Sequence, residues 1–444
     1  MSEYSYFTVS DLVAARIISS PMDGNHGEIH PKADDYVPDG IPFVMASDLL
    51  AGNIDFQKCK FIEKKLADNL RKGFAYADDV LLSHKATIGR TAIIQKNKYP
   101  YVMLTPQITS YRVLNKEKLL PKFLMYYFET SDFQEVFSAW AGGGSTRAYL
   151  GITAQLKLPI YVPSLCKQTA IASVLGTLDD KIDLNRRTNE TLEAMARALF
   201  RDWFVDFGPT RAKMAGQTPY LAPEIWELFP DRLDDEGKPE GWKTAAFSQF
   251  VSILTGGTPK TSVADYWDGD IPWFSVVDTP AEGDIYVFDT AKKITKDGLD
   301  HSAAAILPED TVIITARGTV GKLAMTHGPM TMNQSCYGLR GANGIGQYFV
   351  YQSIKNSLSE IRNNTHGSVF DTITRQTFSS ICANLPSPEI VQNYEKMVAP
   401  FFQKALENVG QTQHLAQLRD LLLPKLMSGE IRIRDAEKMV ADAL

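Results

Sequence analysis

The chain has 444 residues, 44% of them hydrophobic and 22% charged, with a formal net charge of -6. That length exceeds what one hydrophobic core commonly serves, so two globular domains plus connectors are expected, with the proportions of an ordinary soluble protein. Net acidity argues against a chain basic over its whole surface, but charge is local: Asp231 to Glu240 and Asp435 to Asp442 are acidic, whereas Lys58 to Lys98 is basic.

Met1 to Ser10 lacks a basic stretch followed by an apolar run, so no signal peptide is expected, and no window is apolar enough to span a membrane. From Phe7 to Tyr161, short apolar runs broken by Gly, Pro, Asn and Asp predict strands, among them Val80 to Leu82, Thr91 to Ile94 and Ile108 to Val113. Helices are expected at Pro121 to Thr130 and Asp132 to Trp140, before a Gly142-Gly143-Gly144-Ser145 loop. Residues 1–163 therefore read as one α+β domain of mostly antiparallel strands.

Residues 164–207 carry the clearest periodicity. Ser164 is a suitable N-cap, and Ile171, Leu175, Leu178, Ile182, Asn185, Asn189, Leu192, Ala196, Leu199 and Trp203 are spaced alternately four and three apart. This is a coiled-coil seam, and the helix would be on the order of 60 Å long. A Pro- and Gly-rich connector, 208–240, follows. Residues 241–386 repeat the first plan, with strands at Thr311 to Thr315 and Lys322 to Thr326 and a helix at Gln347 to Arg362. A second long helix, 387–430, starts at Ser387-Pro388 and continues through Tyr394, Val398, Phe402, Ala405, Val409, Leu415, Leu418 and Leu422. Pro400 should kink or delay it, and Pro424 with Gly429 should end it. Residues 431–444 form a tail.

The chain thus says nearly everything twice. Gly40-Ile41-Pro42-Phe43 returns as Asp270-Ile271-Pro272-Trp273, and Thr87-Ile88-Gly89-Arg90 as Thr319-Val320-Gly321-Lys322. Thr105-Pro106-Gln107 answers Met332-Asn333-Gln334, Gly144-Ser145 answers Gly367-Ser368, and Leu158-Pro159 answers Leu385-Pro386. A period of roughly 225 residues is too long for a solenoid. It implies one domain plus one helix, duplicated, with the helices paired antiparallel and an internal pseudo-twofold axis. The seam would then carry Asn185 and Asn189 opposite Asn408 and Thr412, as a buried polar layer that sets register or as a solvated helix middle.

Catalytic signatures fail. Gly318-Thr319-Val320-Gly321-Lys322 has a P-loop flavour, but Leu323 stands where a magnesium-binding hydroxyl belongs. Asp231, Glu236 and Lys238 mimic a magnesium nuclease set inside a connector without rigid strands. The seven histidines do not cluster, and Cys59, Cys166, Cys336 and Cys382 are scattered, which predicts no metal site and fits a reducing cytoplasm. The repeated loops carry more chemistry. Lys85, Arg90 and Arg147 in the first domain, and Lys260, Arg317, Lys322 and His366 in the second, lie in Gly/Ser/Thr-rich segments that let a backbone approach phosphate. Gln107, Asn333 and Gln334 supply amides of the kind that read adenine edges. Each could equally be an ordinary turn residue.

Gly256-Gly257-Thr258-Pro259, Asp265-Tyr266-Trp267, Ile271-Pro272-Trp273, Leu307-Pro308, Arg317-Gly318-Thr319-Val320-Gly321-Lys322 and Asn333-Gln334 together resemble the target-recognition domain of type I restriction-modification specificity subunits. Asn185 to Glu193 with Ala198 to Phe207 resembles that family's central conserved region, and Leu418 to Glu430 its distal one. The first domain matches least well, having no Gly-Gly-Thr-Pro. The resemblance implies a non-catalytic DNA-binding subunit with two target-recognition domains, one per half of a split asymmetric target, separated by a long antiparallel two-helix coiled coil. It implies as partners two modification subunits carrying AdoMet and restriction subunits using ATP and Mg2+, with no cofactor on this chain. Asn185, Asn189, Leu192, Leu199, Phe200, Trp203, Phe204, Phe207, Leu418 and Leu422 are the spacer-helix residues expected to pair or to meet a partner. Ala198 to Phe207 is apolar almost all round, which a two-helix coil alone cannot bury; it is expected to dock a modification subunit, the other possibility being an intramolecular cap. Two other readings stand beside this one: a magnesium-dependent endonuclease using Asp231, Glu236 and Lys238, and an adaptor that binds only protein.

Overall fold

The computed structural model of the chain describes residues 4–26, 29–142, 148–281, 283–365 and 372–444. It divides into two compact units, Met1–Asp180 with Leu415–Leu444, and Lys181–His414. Each contains one copy of the same α+β domain.

The repeat holds strand by strand. In the first unit Val80–Ser83 lies between Thr91–Ile93 and Ile108–Tyr111, with Met22–Asp23 beyond, all antiparallel. In the second, Val312–Thr315 lies between Leu323–Thr326 and Cys336–Gly341, with Val251–Thr255 beyond. A second ladder pairs Ile41–Val44 antiparallel to Lys60–Ile62 and parallel to Val102–Leu104, and its counterpart pairs Trp267–Phe274 with Lys293–Ile294 and Thr331–Met332 in the same two senses. A third pairs Tyr4–Thr8 with Pro159–Pro163, and Lys243–Ala246 with Cys382–Leu385. The central strands read as unbroken apolar runs because both of their faces are covered. One side of the first closes over Val44, Leu81, Ala92, Leu104 and Ile108, and one side of the second over Phe274, Ile313, Ala324 and Met332.

Hydrogen-bond equivalence corrects the repeat register in two places. The amides of Val9 and Phe247 bond to the carbonyls of Leu158 and Ile381, so Leu385-Pro386 answers Val162-Pro163 rather than Leu158-Pro159. The amides of His84 and Ala316 bond to the carbonyls of Gln107 and Ser335, so Gln107 answers Ser335, one residue beyond Gln334. The helices at Pro121–Glu129 and Ser131–Trp140 lie where the sequence predicts them. The single helix expected over Gln347 to Arg362 is two, Gln347–Asn356 and Leu358–Thr365, broken at Ser357.

The two long helices are Leu165–Phe204 and Pro388–Ser428, of 40 and 41 residues. Pro400 does not interrupt the second. Both Pro400 and Lys396 are exposed, so the carbonyl left without an amide donor can be hydrated. Pro424 is likewise exposed and within the helix, which ends only at Gly429, whose φ of 83° suits a left-handed cap.

Within each unit the helices run antiparallel. In the first, Lys167 reaches the Met427 carbonyl, and Arg419 meets Asp179 at 2.9 Å. In the second, Asn408 donates to Asn189 at 2.9 Å and Asn185 donates to Gln411 at 3.0 Å, while the Tyr394 hydroxyl bonds to the Ala196 carbonyl. Asn185, Asn189 and Asn408 are all buried, so the middle of the seam is a paired polar layer and not a solvated one. Of the apolar seam residues, Leu418 and Leu422 are buried, and Leu192 and Leu199 are half-buried.

The end of the first helix departs from expectation. Phe200, Trp203, Phe204 and Phe207 are buried inside the second unit, in one cluster with Phe229, Trp242, Phe349 and Tyr394. Phe229 from the connector and Trp242 from the start of the second domain supply the third wall that two helices lack, with ring centroids 5.1 Å from Trp203 and 5.7 Å from Phe207. Those aromatic faces are covered from within the unit, as an internal cap.

In the first unit Glu129 accepts the Thr91 hydroxyl at 2.7 Å. Burial raises its carboxyl from the ordinary 4.5 to about 7, against the opposing pull of Thr91 and Arg419. A raised carboxyl favours the folded state when protonated, so this contribution is complete below about pH 4.5 and lost as the pH rises through about 7. Glu129→Gln keeps the acceptor and removes the titration. It should raise stability at pH 8 by about 1–3 kcal/mol and change little at pH 4. Thermal melts of the two proteins at both pH values check this; parallel pH profiles would refute it.

Candidate nucleic-acid interface

One loop is built twice with the same bonds. After Val80–Ser83 the chain turns through His84 to Arg90, and after Val312–Thr315 through Ala316 to Lys322. Gly89 and Gly321 donate to the carbonyls of Ser83 and Thr315 at 2.9 and 2.8 Å. The amides of Arg90 and Lys322 bond to the hydroxyls of the same two residues at 2.8 and 2.9 Å. This explains why a Ser or Thr ends each strand: its side chain closes the loop. Gly89 and Gly321 have φ of 85° and 78°, the left-handed region where a Cβ is strained. The loops therefore hold their shape without leaning on the basic side chains they carry.

Those side chains face outward. Lys85, Arg90, Arg317 and Lys322 are exposed, and among the described residues none of them forms an ion pair with a carboxylate. Arg90 is oriented by the carbonyls of Ala46 and Ser47, both at 3.3 Å. Two cations without carboxylate partners among the described residues, on a loop of short side chains, are electrostatically suited to an anion.

A second loop packs beside the first through a shared turn. Asn25 and Gly257 donate to the carbonyls of Leu104 and Met332 at 2.8 and 3.0 Å, just before the turns Thr105 to Gln107 and Asn333 to Ser335. A Cβ on Gly24 would lie 1.9 Å from the Thr105 carbonyl oxygen, and one on Gly256 would lie 2.1 Å from that of Asn333. Gly24-Asn25 is thus the first domain's counterpart of Gly256-Gly257, a match the sequence hides because only one glycine survives. In the second domain the loop is braced by Trp273, whose indole donates to the Gly257 carbonyl at 2.9 Å, and by Trp267, which donates to that of Lys260 at 3.3 Å. Lys260 is exposed, and the Thr258 hydroxyl bonds to the Gln334 amide oxygen.

Gln107 is half-buried and takes the Ala46 amide at 3.4 Å; Asn333 is half-buried and caps the Ser335 amide at 2.9 Å. Gln334 is exposed. Arg147 and His366, with Gly144-Ser145 and Gly367-Ser368, lie outside the described residues. Two residues not singled out in the sequence brace the loops from behind: Gln134 donates to the Gly89 carbonyl at 2.9 Å, and Arg362 to that of Gly321 at 3.2 Å. Their helices show no shared motif, so only the contact reveals them.

The base of the loop differs between the copies. His84 is buried, with Nδ1 2.7 Å from the Thr109 hydroxyl, and Gln155 links Thr109 to Tyr111. Burial lowers His84 to about 4, so it is neutral and adds no charge to the loop above it. In the second copy the equivalent place holds Ala316, with Tyr337 packed on Phe378 at 5.6 Å.

The connector carboxylates do not converge. Asp231 pairs with Lys213 at 3.1 Å, and Lys238 is held protonated by Asp234 and Glu236. Among the described residues no three His, Cys, Asp or Glu side chains are grouped to hold a metal ion, and no helix is long and apolar enough to cross a membrane.

The sequence profile of the type I restriction modification DNA specificity domain matches residues 1–194 and 239–416. The type I restriction enzyme HindI specificity subunit of Haemophilus influenzae is 26% identical over 480 residues, covering 97% of this chain and 100% of its own. The MjaIX specificity subunit of Methanocaldococcus jannaschii is 27% identical, covering 80% of this chain and 78% of its own. A crystal structure of the type I restriction-modification S subunit from M. genitalium superposes with a TM-score of 0.51 at 15% identity, over 95% of this chain and 96% of the other, a likeness of fold.

Proposed function

This chain belongs to the type I restriction modification DNA specificity family, and from that premise we propose that its two domains each read one half of a bipartite, asymmetric DNA target. The observation that carries this reading is the doubly built loop, which presents Lys85 and Arg90 in one domain and Arg317 and Lys322 in the other, free of carboxylate partners among the described residues. Phosphate contacts would position each domain, while differing neighbours, Gln107 against Gln334 and Lys260, would give the halves different sequences. The paired long helices serve as the spacer that sets half-site separation.

The subunit does no chemistry itself in this reading. It scaffolds two modification subunits that carry AdoMet and the adenine methyltransferase, and restriction subunits that use ATP and Mg2+, all in the cytoplasm. Co-expressing the chain with its genomic neighbours and mapping methylated adenines across the genome should return one split motif with unread positions between its halves. Magnesium-dependent cutting by the isolated chain would support the endonuclease reading instead. An assembled complex that retains no DNA at low salt would leave the protein-only adaptor.

A further inference from the structure

In the second domain the turn after Trp267–Phe274 carries Val277, which is 79% exposed, more than any other large apolar side chain among the described residues. A lone exposed valine usually means little. The turn that carries this one is braced by its neighbours. The Asp278 carboxylate accepts the Ser275 amide at 2.8 Å and the Ser275 hydroxyl at 2.9 Å, and its other oxygen accepts the Ala291 amide at 2.7 Å. The Thr279 hydroxyl closes the turn on the Val276 carbonyl at 2.8 Å.

The turn also adjoins the interface. It begins at Phe274, whose carbonyl takes the Asn333 amide at 2.9 Å, immediately before Gln334. In the first domain the same turn, capped by Asp48 on the Met45 amide at 2.8 Å, binds the Arg90 guanidinium through Ala46 and Ser47. The position of Val277 is there filled by Ser47. An apolar side chain exposed on a braced turn that bonds to the Asn333 loop, at a position where the other copy is polar, matches the one apolar group that DNA offers in its major groove, the thymine C5 methyl.

We infer that Val277 is a specificity-determining residue that contacts a thymine methyl in the half-site read by residues 241–386. This inference rests on the DNA-reading function proposed above. It is tested with the assembled specificity and modification subunits and duplexes of the mapped target in which each thymine in turn is replaced by uracil, which lacks only that methyl. Wild type should lose about three- to tenfold in affinity at one thymine. Val277→Ser should bind thymine and uracil equally there, Val277→Thr, which keeps a methyl, should retain a preference, and the other half-site should be unaffected in both. Thermal melts of the variants should match wild type, since the side chain is almost entirely outside the core. If Val277→Ser keeps the thymine preference, or no uracil in that half-site weakens wild type, the inference is overturned while target-specific binding stands. If the wild-type complex does not prefer its mapped target over a scrambled duplex, the function reading falls and the inference with it.

Discussion

Arg317→Ala should weaken target binding by the assembled complex about 10- to 100-fold and relax or abolish recognition of one half-site only. The side chain is exposed on a loop closed by Thr315 and Gly321, so its removal leaves the loop's own bonds intact. Folding should therefore be unchanged, with a melt within error of wild type. If Arg317 contacts phosphate, the loss is uniform across sequences and the salt dependence of binding falls by about one ion; if it reads a base, one motif position becomes degenerate at unchanged salt slope. Binding titrations across salt, with methylation mapping of the variant, separate the two. Equal loss at both half-sites would contradict the assignment of one domain to one half. Lys85→Ala, at the equivalent place in the first domain, should damage the opposite half.

The largest effect on stability is expected from Trp203→Ala. Trp203 is fully buried in the second unit and edges against Phe229, Phe204 and Tyr394 at centroid distances of 5.1, 6.0 and 6.1 Å. Truncation leaves a cavity in a ring cluster that cannot collapse, at about 3–5 kcal/mol, a large part of the stability of a typical domain. The isolated chain should melt well below wild type or fail to fold. This outcome distinguishes an internal cap from a docking surface: a Trp203 that served only a partner could be truncated with the isolated chain unaffected. Calorimetry on the chain alone decides between them.

How much was legible depends on the range of the information. The seam from Ile171 to Trp203 could be read because helix periodicity is written in residues three and four apart. The central strands could be read because their apolar runs are bounded by turn residues. Lys85, Arg90, Arg317 and Lys322 could be picked out because Gly and Thr beside them mark a loop that permits close approach. Pro400 misled for a definite reason: a proline's cost depends on whether the freed carbonyl can reach water, and here both Pro400 and Lys396 are exposed.

The duplication, the α+β grammar of each copy, the two long helices and the loops that carry cations are legible in the chain, because the motifs and periods that mark them are each written within a few neighbouring residues. The rest is settled between residues far apart in the chain. Gly24 answers Gly256 because each must admit a carbonyl from the turn some 80 residues on, which a comparison of letters does not show. Gln107 answers Ser335 because of a strand register set by partner amides. The aromatic end of the first helix is an internal cap because Phe229 from the connector and Trp242 from the second domain close over it. Burial is decided by whatever else arrives at the same place, and local sequence carries no record of that arrival.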